Sequence, residues 1–78
     1  MIEVFKTNVE DPNEAVWLIG QITKIFSDYL INFDLEDCDR ILRVKCEKGA
    51  IDSEAIIVLL NTSGYAAEVL EDKMAMNS

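Results

Sequence analysis

The chain of 78 residues contains no histidine and only two cysteines, Cys38 and Cys46. The absence of histidine removes the most common general base and the most common transition-metal ligand. An extended segment rises about 3.3 Å per residue, so the two cysteine α-carbons should lie more than about 20 Å apart, whereas a disulfide needs about 7 Å or less. We therefore expect no disulfide and no shared metal, with Cys46 in the core and Cys38 in a turn.

Basic residues are also scarce. Seven lysines and arginines stand against fifteen acidic residues, which gives a net charge of −8. An anionic surface repels phosphates and anionic lipid headgroups, so we expect neither nucleic acid nor a membrane surface as a partner. No apolar run approaches the roughly 20 residues of a membrane-spanning helix. No basic segment precedes an apolar stretch near residue 1, so we expect no signal peptide and a cytoplasmic location.

Groups that would support catalysis are missing as well. The three glycines form no loop that could cradle a phosphate, and the chain offers no nucleophile–base couple. No pair of inward-facing carboxylates is apparent in the pattern. We therefore predict that the protein is not an enzyme and that it carries no cofactor.

The hydrophobic residues that are present change their period along the chain. The order β-α-β-β-α-β predicts an α+β, ferredoxin-like sandwich, with two helices on one face of a four-stranded antiparallel sheet of order 4-1-3-2. We assign residues 1–71 to this single domain and 72–78 to a flexible C-terminal tail. The predicted elements are strand 2–7, helix 11–27, strands 30–35 and 40–46, helix 52–64 and strand 65–70.

The first helix has a clear start signal. Asp11 can cap it, Pro12 suits its first position, and Glu14 can complete a capping box. On the strand at 30–35, alternation with Asn32 and Asp34 predicts that Ile31, Phe33 and Leu35 face the helices. On the strand at 40–46, Cys46 is expected to face the helices and Ile41 to face the open side of the sheet. Apolar residues at spacings of three and four predict the buried stripe of the first helix, which comprises Ala15, Leu18, Ile19, Ile22, Ile25 and Phe26.

Four short segments carry a resemblance to a known family. They are Phe-Lys-Thr-Asn-Val at 5–9, Ile-Asn-Phe-Asp-Leu at 31–35, Ile-Leu-Arg-Val at 41–44 and Gly-Tyr-Ala-Ala-Glu at 64–68. Together with the element order, they resemble the heavy-metal-associated domain family, which has the small copper-chaperone-like fold. The resemblance covers residues 2–70 and implies the sandwich described above.

The metal-binding motif of that family is absent. The family binds a soft cation, typically Cu(I), through Met-x-Cys-x-x-Cys between the first strand and the first helix. The best alignment places Val9 at the methionine and Asp11 and Glu14 at the two cysteines. No register restores a thiol, so we do not expect the soft-metal function here. A weak hard-cation site formed by Asp11, Glu14 and loop carbonyls is the alternative to their roles at the helix start.

A surface for protein contacts is the remaining functional signal. Trp17 lies off the predicted buried stripe, with Val16 and Gly20 on the same outer side. Tryptophan is enriched at interaction hot spots, although packing of Trp17 over the neighbouring loop is the competing interpretation. We predict a small non-enzymatic interaction or structural module that contacts its partner through Val9, Val16, Trp17 and Gly20.

Apolar residues on the open face of the sheet suggest a second contact surface. Ile2, Val4 and Ile41 are all assigned to that face by strand alternation. An open sheet face with apolar side chains can pair with another copy of the same chain. A homodimer is therefore one expected assembly.

Overall fold

The computed structural model describes residues 1–70, and their secondary structure follows the predicted order of elements. Each predicted boundary differs from the observed one by at most two residues. The prediction of a tail at 72–78 lies outside the described residues. The elements are β1 (Ile2–Thr7), α1 (Pro12–Ile25), β2 (Tyr29–Asp34), β3 (Ile41–Cys46), α2 (Ser53–Thr62) and β4 (Ala67–Val69).

The four strands form one antiparallel sheet, so the predicted α+β class with two helices is confirmed. Its order is β2-β3-β1-β4, which reads 4-1-3-2 when it is counted from the β4 edge. Phe5 in β1 and Phe33 in β2 both pair with Leu42 in β3, so all three side chains lie on the same face. Strands β2 and β4 form the two edges of the described sheet.

The core lies between that face and the two helices. Leu18 and Ile22 from α1 and Ile56 and Leu60 from α2 have no exposed surface, and they cluster with Phe5. Full burial of one such side chain contributes about 1.5–3 kcal/mol. Cys46 belongs to the same cluster, as predicted. Neither helix within residues 1–70 combines the length and the hydrophobicity needed to cross a bilayer.

The buried stripe of α1 is shorter than the sequence predicts. Ala15, Leu18 and Ile22 are buried, but Ile25 is 63% exposed, so its predicted burial is wrong. Helix α1 ends at Ile25, and Phe26 then stacks on Tyr29 with ring centroids 4.6 Å apart. This aromatic pair supplies the packing at the end of α1 and leaves Ile25 outside it.

Ile41 lies on the open face but is only 5% exposed, which contradicts its predicted accessibility. Its cross-strand neighbours are Lys6 and Asp34, and each of them forms an ion pair. The aliphatic stems of long charged side chains can cover apolar surface. Lys6 and Arg43 flank Ile41 on this face, so the open face is less apolar than predicted.

Gly20 and Gly64 allow one substitution to be tested in two backbone conformations. Gly64 follows α2 with φ of +95°, whereas Gly20 lies within α1, and an added Cβ would meet no atom within 4 Å at either position. We expect Gly64→Ala to destabilise by about 1 kcal/mol through backbone strain. We expect Gly20→Ala to stabilise by about 0.5–1 kcal/mol through helix propensity. Urea unfolding followed by circular dichroism measures both, and changes of the same sign would contradict this account.

Candidate interaction site at the first helix

The loop between β1 and α1 is held by three hydrogen bonds, of which the one between Thr7 and Val9 is buried. The Thr7 hydroxyl donates to the Arg40 carbonyl oxygen at 2.7 Å and accepts from the Val9 backbone N–H at 3.2 Å. Asn8 accepts from the Ala66 backbone N–H at 2.8 Å, which connects the loop to the segment before β4. Val9 has no exposed surface. The loop is therefore packed into the protein, and Val9 is a core residue that cannot contact a partner as predicted.

Asp11 has the capping role that the sequence predicts. Its carboxylate accepts from the Asn13 backbone N–H at 2.9 Å, and Pro12 occupies the first turn. The Asp11 carboxylate accepts from the Asn13 N–H and not from that of Glu14, so the predicted capping box is not the one observed. The pKa of the Tyr65 hydroxyl is raised. The largest cause is hydrogen bonding to the Glu14 carboxylate, and desolvation and the negative charge of that carboxylate contribute less.

The geometry adds no third ligand to the predicted pair of Asp11 and Glu14. Among residues 1–70, the one group of three side chains with ligand atoms within 4.8 Å of one another is Asp37, Cys38 and Asp39. That group lies in the β2–β3 turn, where Asp37 accepts from the Asp39 backbone N–H at 2.9 Å. Two carboxylates alone make a poor site for a cation that needs six or more oxygen ligands.

Both cysteines are free thiols, so the prediction that they do not pair is confirmed. Cys38 is exposed in the turn and Cys46 is buried. The neighbouring Asp39 carboxylate lies 3.8 Å from the Lys6 ammonium group. These groups form a solvated turn held by local contacts.

The outer patch of α1 consists of Val16, Trp17 and Gly20. Val16 is 68% exposed and Trp17 is 51% exposed, and the space beside the Gly20 Cα is open. Three of the four predicted contact residues therefore share one accessible helix face. A large aromatic side chain that keeps half its surface in water has the exposure that a protein contact requires.

A groove between α1 and β2 was missed by the sequence interpretation. Ile31, Phe33 and Leu35 were predicted to lie beneath the helices, but each is only half-buried. They line this open groove, which has a volume of about 370 Å³ and lies next to the outer edge of the sheet. The signal that could have revealed it is the edge position of the second strand in the predicted order. The groove is lined by Pro12, Ala15, Val16, Ile19, Ile31, Asn32, Phe33 and Leu35.

These features define a small acidic α+β protein with an exposed apolar patch on its first helix. Comparisons of the chain with protein-family models, curated proteins and solved structures find no match.

Proposed function

We propose that this chain is a small, non-enzymatic protein-interaction module on a ferredoxin-like scaffold, similar to a heavy-metal-associated domain that has lost its soft-metal ligands. The exposure of the outer patch is the observation that carries this proposal, because Trp17 and Val16 are both more than half exposed. Burial of a tryptophan at an interface is a frequent source of binding energy. The outer patch is therefore the proposed contact surface.

The loop before α1 supports the proposed loss of metal binding. Val9 stands at the position of the family's methionine and is enclosed in the core. Asp11, which stands at the first cysteine, is engaged in capping the helix through the Asn13 N–H. Glu14, at the second, offers a carboxylate oxygen in place of a soft thiolate. The chain contains no histidine that could replace a thiolate.

A second copy of the chain is a weaker candidate for the partner. Ile2 and Leu30 are 60% and 61% exposed on the open sheet face, where a face-to-face homodimer would form. That face also carries Lys6, Arg43, Lys45, Asp34 and Glu68, and burying these charged groups between two copies would cost desolvation free energy. We also propose a cytoplasmic location, because an exposed free thiol suits a reducing compartment.

The proposal is tested by capturing partners and measuring bound metals in one preparation. We expect the purified wild-type chain to carry no stoichiometric copper, zinc or calcium and to retain a partner on an affinity column. Trp17→Ala should reduce the captured partner by about thirtyfold, the equivalent of about 2 kcal/mol for a hot-spot residue. Ile25→Ala is the matched control, because Ile25 is an exposed apolar residue of the same helix.

Three results would contradict the proposal. Stoichiometric copper in the purified protein would show that the chain binds a soft metal. Equal losses of capture in Trp17→Ala and Ile25→Ala would remove the specific role of the outer patch. A loss of unfolding free energy in Trp17→Ala as large as the loss of binding would identify Trp17 as a packing residue. Light scattering on the same sample shows whether the captured partner is a second copy.

A further inference from the structure

Strand β2 has an edge to which no strand within residues 1–70 is paired. The hydrogen bonds at the far end of β3 show which residues face that edge. Cys46 donates to the Met1 carbonyl at 2.9 Å and accepts from the Met1 amino group at 2.7 Å, so its backbone polar groups point towards β1. These groups alternate in direction along a strand, so those of Lys45 point towards Leu30 in β2.

The same alternation assigns the backbone groups of the next β2 residues. Leu30 and Asn32 direct their N–H and C=O groups towards β3, so Ile31 and Phe33 direct theirs away from it. The side chains of Ile31 and Phe33 line the groove between α1 and β2. Hydrogen-bonding groups and an apolar groove therefore occur at the same two residues. This combination is what an added extended strand requires.

The charge around the groove indicates what kind of strand fits. Segments 10–25 and 28–37, which contain α1 and β2, together hold seven acidic residues and one basic residue, Lys24. Only part of this charge is compensated from elsewhere, by ion pairs such as Arg43–Asp34 at 3.8 Å and Lys48–Asp28 at 3.6 Å. A basic segment complements this rim, whereas a second copy would bring its own net charge of −8.

We infer that the outer edge of β2 binds an extended peptide segment of a partner protein, with apolar side chains at alternate positions and lysine or arginine between them. The apolar side chains enter the groove beside Val16 and Phe33. The basic side chains lie on the open face, next to Asn32 and Asp34. This inference rests on the proposed interaction function and names the chemistry of the partner.

A direct binding experiment tests the inference with two labelled peptides. One short peptide alternates valine and lysine, and the other alternates valine and glutamate. We expect fluorescence anisotropy to show binding of the lysine peptide only. Val16→Lys should weaken it at least about tenfold, because a charged side chain replaces one wall of the groove. Val58→Lys is the matched control, because it makes the same charge change at a residue of α2 that is 58% exposed.

Amide hydrogen exchange provides a second, variant-free test. Binding should slow exchange of the Ile31 and Phe33 amides, which otherwise face solvent at the edge of the sheet. Equal weakening by Val16→Lys and Val58→Lys would indicate attraction by overall charge and overturn the inference. Unchanged exchange at these two amides, or no binding of either peptide, would also overturn it. The capture experiment with Trp17→Ala uses no peptide and tests the proposed function independently. A failure of the peptide experiment alone would therefore contradict this inference and not the proposed function.

Discussion

Ile22→Ala is expected to leave much of the protein unfolded at room temperature. Ile22 in α1 has no exposed surface and belongs to the hydrophobic core, so its truncation removes buried methyl groups and leaves a cavity. Such a substitution costs about 2–5 kcal/mol. The net stability that a core of this size provides is about 3–5 kcal/mol. Urea unfolding followed by far-ultraviolet circular dichroism measures the loss directly.

Ile25→Ala is the matched control for this prediction. It truncates the same residue type in the same helix, three positions away, but Ile25 is 63% exposed. A substitution at such a surface position changes the free energy of unfolding by less than about 0.5 kcal/mol. Similar losses in the two variants would mean that the last turn of α1 is packed in the core. That result would contradict the burial difference seen in the fold.

Thr7→Val is expected to destabilise the protein by about 2 kcal/mol. Valine keeps the shape of threonine but removes the hydroxyl that donates to the Arg40 carbonyl and accepts from the Val9 N–H. Thr7 is 8% exposed, and the bond to Val9 is buried, so that N–H would be left without a partner. A buried group without its hydrogen bond costs about 1–3 kcal/mol. The free energy of unfolding in urea is the measurement.

Thr23→Val makes the same chemical change at a site where no buried backbone N–H depends on the hydroxyl. The Thr23 hydroxyl donates to the Ile19 carbonyl at 2.9 Å within α1. Its removal leaves no backbone N–H without a hydrogen-bond partner. We expect a change of less than about 0.5 kcal/mol there. Equal effects in the two variants would show that the Thr7 hydroxyl does not hold the loop.

The order of elements and the helix caps were predictable because they depend on neighbours along the chain. A three-and-four spacing predicts a helix wherever it occurs, and Asp11 caps α1 through an N–H only two residues away. The same holds for Gly64, which follows the C-cap Ser63 of α2 and has the positive φ that glycine commonly adopts at this position. Such signals need no knowledge of the rest of the protein.

The accessibility of individual apolar residues was decided by the tertiary structure. Val9 was predicted at a contact surface and is enclosed, whereas Ile25 was predicted in the core and is exposed. Ile41 lies on the predicted face, but ion-paired neighbours from other strands flank it. The residues that decide the exposure of Val9 and Ile41 include segments distant in sequence, which no local pattern records. Ile25 is exposed because α1 ends there and the Phe26–Tyr29 pair packs in its place.

The groove beside β2 shows the same division. Alternation in the sequence predicted that Ile31 and Phe33 face the helix layer, and their register with β3 agrees. Alternation could not predict how far α1 covers them, because that depends on where the helix packs against the sheet edge. The sequence by itself determined the elements, their order and their inward faces. Only the packing of those elements decided which apolar side chains and which backbone groups remain accessible to a partner.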